Sequence, residues 1–547
     1  MSQLFSTDPV AIAKRYLLFS FTFLFIGGWL ALLMRWQLGY PGESVPAVFG
    51  AGLLPQGMVP DGVILPDTYN GLMTMHATFM VYFAVLPVLV GFFGNLVVPL
   101  QIGAQRSAFP RLNSVAFWLM IPAGAMMIAG FFVEGGPASA GWTAYPPLSV
   151  LAAFTGSGFG MNLWITALLL LGVSLILGAI NLAATVILHR RPGMDFFQMP
   201  LSTWALFTTA LLVLVAIPVL AVALGMLLSD RVAGTTFFIP EGLYLSGKPM
   251  NNPGGGQPLL WQHLFWFFGH PVVYILVLPA MGIVSDLLAV FSGKQVFNYR
   301  GMVYSTWALA GLGCLVWGHH MFQSGMNPML GTTFMVATMV IAVPSGLKTL
   351  NWIGTLWGGN IRFTVPMMCA LAFVSLFIIG GLSGIFMASS SVDAYIHDTY
   401  FIVAHFHYVL IGGTLFATFG GIAYWFPKLY GRTMNTTLGY AHFWLTFIFF
   451  NCTFFPMHIL GIGGHPRRIF DPTAYDFLRG LQPINVFITW SAVMLGLSQL
   501  LFVANWVWSR KRGALAEERD SNPGVAAPIF IGAQSLSGFS LEDDAEG

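Results

Sequence analysis

Apolar residues in this chain gather into long runs separated by shorter polar stretches, the pattern of helices that face lipid as well as one another. A bilayer core of about 30 Å needs roughly 20 apolar residues per helix. Twelve runs qualify, near 16–36, 70–98, 113–133, 161–187, 202–228, 258–289, 302–323, 331–357, 367–388, 400–426, 440–462 and 483–509. The pattern predicts an all-α membrane protein, a twelve-transmembrane-helix bundle in one membrane domain over 1–547. The bundle covers about 14–510, and the polar residues 511–547 read as a flexible cytoplasmic tail. Loops 37–69, 134–160 and 229–257 are rich in Gly and Pro, as in Asn252-Pro-Gly-Gly-Gly256, and are expected to cap the bundle.

An even number of spans sets both termini on one side. Arg231, Lys248, Arg467, Arg468 and Arg479 fall on the opposite side, Arg35 and Lys348 fall inside spans, and the other fifteen basic residues lie on the terminal side. The positive-inside rule therefore makes the termini cytoplasmic. The first run lacks a cleavage-site pattern and reads as a retained helix.

Composition agrees: 56% of 547 residues are hydrophobic and 8% charged. A formal charge of +2 gives no reason to expect nucleic acid as a partner. Cys314, Cys369 and Cys452 are too scattered for a disulfide framework or a thiolate metal site.

Of the twelve histidines, six stand inside spans with particular neighbours: His76, His270, His319, His320, His405 and His407. Imidazole in a membrane helix is costly unless something binds it. On a regular helix, at about 100° per residue, His405 and His407 point to nearly opposite faces, so one helix can serve two centres. His319 and His320 are adjacent, and a third nitrogen must come from another helix, for which His270 is the natural donor. Three imidazoles suit copper, zinc or iron, and ligand type alone does not choose. Tyr274, one turn beyond His270, shares its face and can deliver a proton and an electron. His76 can pair with one histidine of the 405–407 helix as axial ligands of a six-coordinate haem. The other would hold a five-coordinate haem whose open face meets the three-histidine metal.

These residues stand in motifs that resemble subunit I of the haem-copper oxygen reductases over about 14–510: Met73-Thr-Met-His76, Gly141-Trp-Thr-Ala-Tyr-Pro-Pro147, Phe268-Gly-His-Pro271, Trp317-Gly-His-His320, Ile341-Ala-Val-Pro-Ser-Gly-Leu-Lys348, His397-Asp-Thr-Tyr400, Ala404-His-Phe-His-Tyr408 and Pro466-Arg-Arg468. The resemblance implies a low-spin haem A on His76 and His407, a high-spin haem A on His405, and one copper ion on His270, His319 and His320. It further implies a covalent His270–Tyr274 bond and a magnesium (or manganese) site at His397 and Asp398. Arg467 and Arg468 resemble the pair that binds haem propionates, with Trp142 and Asp393 also at the cofactors. Arg35 resembles the residue that hydrogen-bonds the formyl group of the low-spin haem. The implied activity is reduction of O2 to water, coupled to proton pumping, in a bacterial cytoplasmic (inner) membrane. Implied partners are subunit II with a dinuclear copper centre, subunit III, and cytochrome c as donor, with quinol the alternative.

Two positions depart from the family pattern. Members with a second proton route carry an aspartate and a glutamate where this chain has Arg106 and Val272, although Asn95 and Asn113 of that route remain. Proton uptake is therefore expected through Lys348, with Ser345 one turn away, Ser285 at the start and Tyr274 at the end. A nitric oxide reductase would share the histidines but lacks the tyrosine and carries glutamates beside its non-haem iron, where Val272 and Val273 stand. A metal-free transporter would use midplane histidines as proton relays, which leaves the two-centre spacing unexplained.

Overall fold

The structure, a computed structural model, describes residues 5–251 and 254–516. The tail expected beyond 516 and residues 252–253 of the Gly-rich loop lie outside the described residues. Helices α1 (Pro9–Gly39), α2 (Pro66–Ile102), α3 (Pro110–Phe132), α4 (Phe159–Leu188), α5 (Leu201–Val232) and α6 (Pro258–Ser292) are each long and apolar enough to cross a bilayer. So are α8 (Pro328–Leu356), α9 (Val365–Ala388), α10 (Tyr400–Tyr430), α11 (Thr436–Ile462) and α12 (Asp476–Arg512). Lipid offers backbone groups no hydrogen bonds, so helices that satisfy their own are the stable form for these runs. Six of these helices begin with Pro at an opening position, where its missing N–H costs nothing.

The seventh predicted span departs from a continuous helix. It forms α7 (Tyr299–Gly313), breaks at Cys314–Val316, and resumes as a 3-10 turn over Trp317–Met321 that carries His319 and His320. Fifteen α-helical residues rise about 22 Å, and the 3-10 turn adds about 10 Å, so the broken segment still matches bilayer thickness. The two histidines thus sit on a tighter turn than the regular helix expected from sequence. Irregularity recurs at the other histidines. The backbone of α2 widens into π-helical turns over Phe79–Val85 and Pro87–Phe92, shortly after His76. That of α10 widens at His407–Gly412, so the regular helix assumed for the 405–407 pair ends at Phe406. Wide turns of this kind concentrate at functional sites.

The almost wholly buried α6 is the central element, and α8 runs at the edge with few of its side chains buried. Close packing against α6 relies on small residues: a Cβ on Gly282 would come within 2.8 Å of the Leu201 carbonyl of α5. Asp286 of α6 reaches the start of α5, accepting from the Leu201 and Ser202 amides at 3.2 and 3.3 Å, from the Ser202 hydroxyl, and from Gln101 Nε2 at 3.0 Å. It thereby satisfies amides that a helix N-terminus leaves unpaired. At the opposite end of α5, Arg231 donates to the carbonyls of Ser149, Val150, Ser157 and Gly158, pinning the 134–160 loop across the bundle. Trp261 Nε1 ties the same loop to α6 through the Thr143 carbonyl at 2.9 Å.

Candidate functional site

A cavity of about 1600 Å³ runs through the bundle, well beyond the roughly 300–1,000 Å³ of an ordinary small-molecule pocket. It is lined mostly by apolar residues and by the six histidines singled out in the sequence, together with Arg35, Trp142, Tyr274, Arg467 and Arg468.

Three of those histidines are oriented by backbone carbonyls. Nδ1 lies 2.8 Å from the Gly27 carbonyl of α1 in His76, 2.9 Å from the Gly380 carbonyl of α9 in His405, and 2.8 Å from the Val403 carbonyl in His407. A carbonyl only accepts, so each Nδ1 carries the proton and each Nε2 keeps its lone pair for a metal. His405 turns to α9, whereas the His407 ring stacks on Phe454 of α11 at 4.1 Å. The structure therefore sends the two side chains to different neighbours, although the helix between them is not regular.

His270, His319 and His320 offer ligand atoms within 4.8 Å of one another, and theirs is the one group of three or more metal-ligating residues this close among the described residues. His319 Nδ1 lies 2.9 Å from the Thr338 hydroxyl, which itself donates to the Phe334 carbonyl and so must accept. His319 Nε2 is thus the free ligand atom. His320 stacks flat on Trp266, ring centroids 3.8 Å apart. His270 Nδ1 stands 3.2 Å from His320 Nε2. Two nitrogens each about 2.0 Å from one tetrahedral ion lie about 3.3 Å apart, so the spacing fits a shared ion. His270 Nε2 is buried with no partner, and the Tyr274 ring centroid is 4.9 Å from that of His270.

The polar rim differs from expectation in one respect. Arg467 binds Asp398 through both Nε (2.6 Å) and Nη2. Its fork is committed to that carboxylate, which leaves Arg468, beside Gly141, as the guanidinium more open to another anion. Burial raises the Asp398 carboxyl, but Arg467, then Arg468 and His397, outweigh it and hold it below its ordinary value. Burial, then Arg467, lowers Arg468 to about 10, so it remains charged at neutral pH. Asp398 and Arg468 adopt left-handed backbone angles, φ 53° and 67°, unfavourable for side-chain-bearing residues and concentrated at functional sites. Asp393 lies 3.2 Å from His397 Nδ1 and accepts from Gln323 at 3.2 Å. His397 and Asp398 approach at 3.8 Å but, among the described residues, belong to no close group of three His, Cys, Asp or Glu ligands, too few for a hard cation that wants about six oxygens.

Lys348 is 2% exposed and does not reach the surface. Its ammonium donates to Thr306 Oγ1 at 2.6 Å and to the Met302 carbonyl at 3.1 Å, both on α7. The expected neighbours are engaged elsewhere: Ser345 donates to Ile341, and Ser285 accepts from Trp352 at 2.8 Å. Thr306 escaped sequence reading because nothing in an apolar run marks which threonine a lysine on another helix will meet. Asp286, the buried carboxylate of α6, was also missed, although an acid inside a span is itself a signal. Arg106 is exposed and Val272 buried and apolar. Asn113 donates to Asn95 at 2.5 Å beside a cavity of about 30 Å³ also lined by Asn181 and Ser174, room for a water.

A helical membrane bundle with a candidate three-imidazole metal site and three further histidines around one apolar cavity points to a membrane-embedded metalloprotein. The comparisons narrow that class. The sequence model described as Cytochrome C and Quinol oxidase polypeptide I matches residues 11–494. Cytochrome c oxidase subunit 1 of Synechocystis sp. is 46% identical over 512 residues, covering 94% of this chain and 85% of the relative. That of Thermostichus vulcanus is 41% identical over 514 residues, with the same coverage. The alternative cytochrome c oxidase subunit 1 of Bradyrhizobium diazoefficiens is 40% identical over 526 residues, covering 96% and 85%. A solved heme-copper terminal oxidase dimer shares the fold at TM-score 0.73 and 18% identity, covering 94% of this chain and 86% of that one. The chain belongs to the haem-copper oxidase subunit I family. It is the catalytic subunit of a terminal oxidase and an integral membrane protein. The family implies haem and copper cofactors, O2 as substrate and a subunit II partner.

Proposed function

We propose that this subunit reduces O2 to water at a high-spin haem held by His405 and a copper ion held by His270, His319 and His320. Electrons enter through a low-spin haem held by His76 and His407. The observation that carries this reading is the divergence of His405 and His407, one toward α9 and one toward α11, beside a trio whose nitrogens have one ion's spacing. Buried Nε and Nη1 atoms of Arg35 without partners, in the cavity wall, favour a cofactor with its own acceptor there, and a haem A formyl group is such an acceptor.

When bound, the haems and copper supply electrons and the oxygen-binding position. The chain supplies the rest. Backbone carbonyls fix the haem-facing imidazoles in one tautomer. Trp266 holds the His320 ring and Thr338 the His319 ring. Tyr274 stands one turn from His270 to give a proton and an electron, and the unpartnered His270 Nε2 is the atom a His270–Tyr274 bond would use. Lys348, relayed by Thr306, passes protons from the cytoplasmic side toward the cavity at Ser345. Arg468 and Trp142 receive haem propionates, with Arg467 braced by Asp398. A magnesium or manganese ion at His397 and Asp398 requires further ligands from water or a partner.

Subunit II with a dinuclear copper centre delivers electrons from cytochrome c, subunit III completes the complex, and both termini face the cytoplasm of a bacterial inner membrane. Uptake through Lys348 is coupled to pumping. Substituting His76 by Leu should erase the six-coordinate spectrum, while His405→Leu should remove carbon monoxide binding. Indistinguishable spectra from the two variants would overturn the ligand assignment, and oxidation of quinol rather than cytochrome c would replace the donor.

A further inference from the structure

Arg35 places a guanidinium in a membrane helix with no carboxylate partner. Nη2 is engaged, donating to the Asn485 backbone carbonyl at 2.9 Å, to Asn485 Oδ1 at 3.2 Å and to Thr489 Oγ1 at 3.4 Å, while Nε and Nη1 have no partner among the described residues. The direction in which Nε and Nη1 present their protons to the cavity therefore depends in part on the Asn485 side chain, whose amide can offer either an oxygen or an NH2. Its orientation is set by His465. Nδ1 of that fully buried ring lies 2.9 Å from the Pro466 carbonyl, which can only accept. The proton therefore sits on Nδ1, and Nε2 must accept, as it does from Asn485 Nδ2 at 3.1 Å. Gln482 Oε1 takes a second Nδ2 hydrogen at 3.3 Å. Turning the Asn485 amide over would set its NH2 against the guanidinium, donor to donor, and its oxygen against the lone pair of His465 Nε2, so that Nη2 would keep only the Asn485 backbone carbonyl and Thr489. His465 also opens the Pro466-Arg-Arg468 loop, so one buried ring couples the loop at the cavity rim to the guanidinium in the cavity wall.

We infer that His465 and Asn485 are positioning residues that aim Arg35 into the low-spin haem pocket and thereby set the visible spectrum and midpoint potential of that haem. The inference rests on the proposed role of Arg35. A guanidinium near a haem favours its reduced, less positive state, so a displaced Arg35 lowers the potential.

The test uses the purified complex with Arg35→Met as reference. The reduced visible band and the midpoint potential of the six-coordinate haem are the readouts, with haem content and carbon monoxide binding as checks of integrity. Asn485→Leu and His465→Leu should each shift band and potential in the direction Arg35→Met shifts them. His465→Gln, whose side-chain oxygen can accept from Asn485, should recover at least half of the His465→Leu shift. The double variant should go no further than Asn485→Leu alone, since one residue acts through the other. Should His465→Leu lose haem, Asn485→Ser and His465→Gln carry the same comparison. Wild-type band and potential in haem-replete His465→Leu, or full additivity in the double variant, would overturn the relay. Failure of the underlying reading is distinct: Arg35→Met would then leave the band where it is.

Discussion

Replacing Lys348 by Met separates chemistry from folding because the structure accounts for everything the ammonium touches. Methionine keeps the unbranched stem and fills the same space. The variant loses two hydrogen bonds to a charged group, about 1.5–3 kcal/mol each. It also no longer buries an ammonium, whose desolvation costs several kcal/mol. Thr306 still donates to the Met302 carbonyl at 2.8 Å, so no polar group is orphaned. Stability should therefore change little. A proton crossing the same gap loses the buried cationic station that Lys348 provides, and leaving a buried charge without its partner costs about 3–5 kcal/mol. At about 1.4 kcal/mol per factor of ten, steady-state oxygen consumption should fall by roughly 10²–10⁴-fold. The assay is an oxygen electrode at saturating donor, run on enzyme whose haem spectra and copper content match wild type. Arg106→Ala, a change at an exposed residue, should leave turnover nearly unchanged. Turnover within twofold of wild type in Lys348→Met would refute the reasoning and move proton entry elsewhere.

Replacing His319 by Leu should remove the trio's copper and oxygen reduction together while the six-coordinate haem spectrum survives, since its ligands lie on α2 and α10; metal analysis finding full copper would contradict this. Asp286→Ala leaves Gln101 and two amides at the start of α5 without an acceptor, at about 1–3 kcal/mol per unsatisfied group. It should lower the thermal midpoint in detergent well below that of Asp286→Asn, which keeps one acceptor oxygen. Asp398 is held below its ordinary value when folded, so its ion pair stabilises the protein above the unfolded-state pKa of about 3.9. That contribution is lost as pH falls through the lower folded value. The difference in thermal midpoint between wild type and Asp398→Asn should be greatest near neutrality and close below about pH 4.

Eleven of the twelve runs, which form helices long and apolar enough to cross a bilayer, and the six histidines were legible because lipid makes length and intramembrane polarity strong signals. Hydropathy sees apolar length but not the kind of turn, which is why the break at Cys314–Val316 and the 3-10 turn under His319 and His320 were invisible. The π-helical widening at His407 escaped for the same reason, and in the structure the two side chains of the 405–407 pair meet different neighbours, one on α9 and one on α11. Contacts between distant segments were not legible: Thr306 with Lys348, Asp286 with α5, and Asn485 with His465 each join residues more than fifteen positions apart. The arginine pair was recognised, but not that Asp398 occupies the Arg467 fork. The missing carboxylates at Arg106 and Val272 could be read directly, since a side chain that cannot exchange a proton is plain in sequence.

The central claim is that this chain holds one closed, six-coordinate haem and one haem with an open face. The most direct measurement is the fraction of haem that binds carbon monoxide in the reduced, purified wild-type complex, from the difference spectrum set against total haem. The account predicts one half, with the unreactive half belonging to His76 and His407. Binding by all of the haem, or by none, would contradict it.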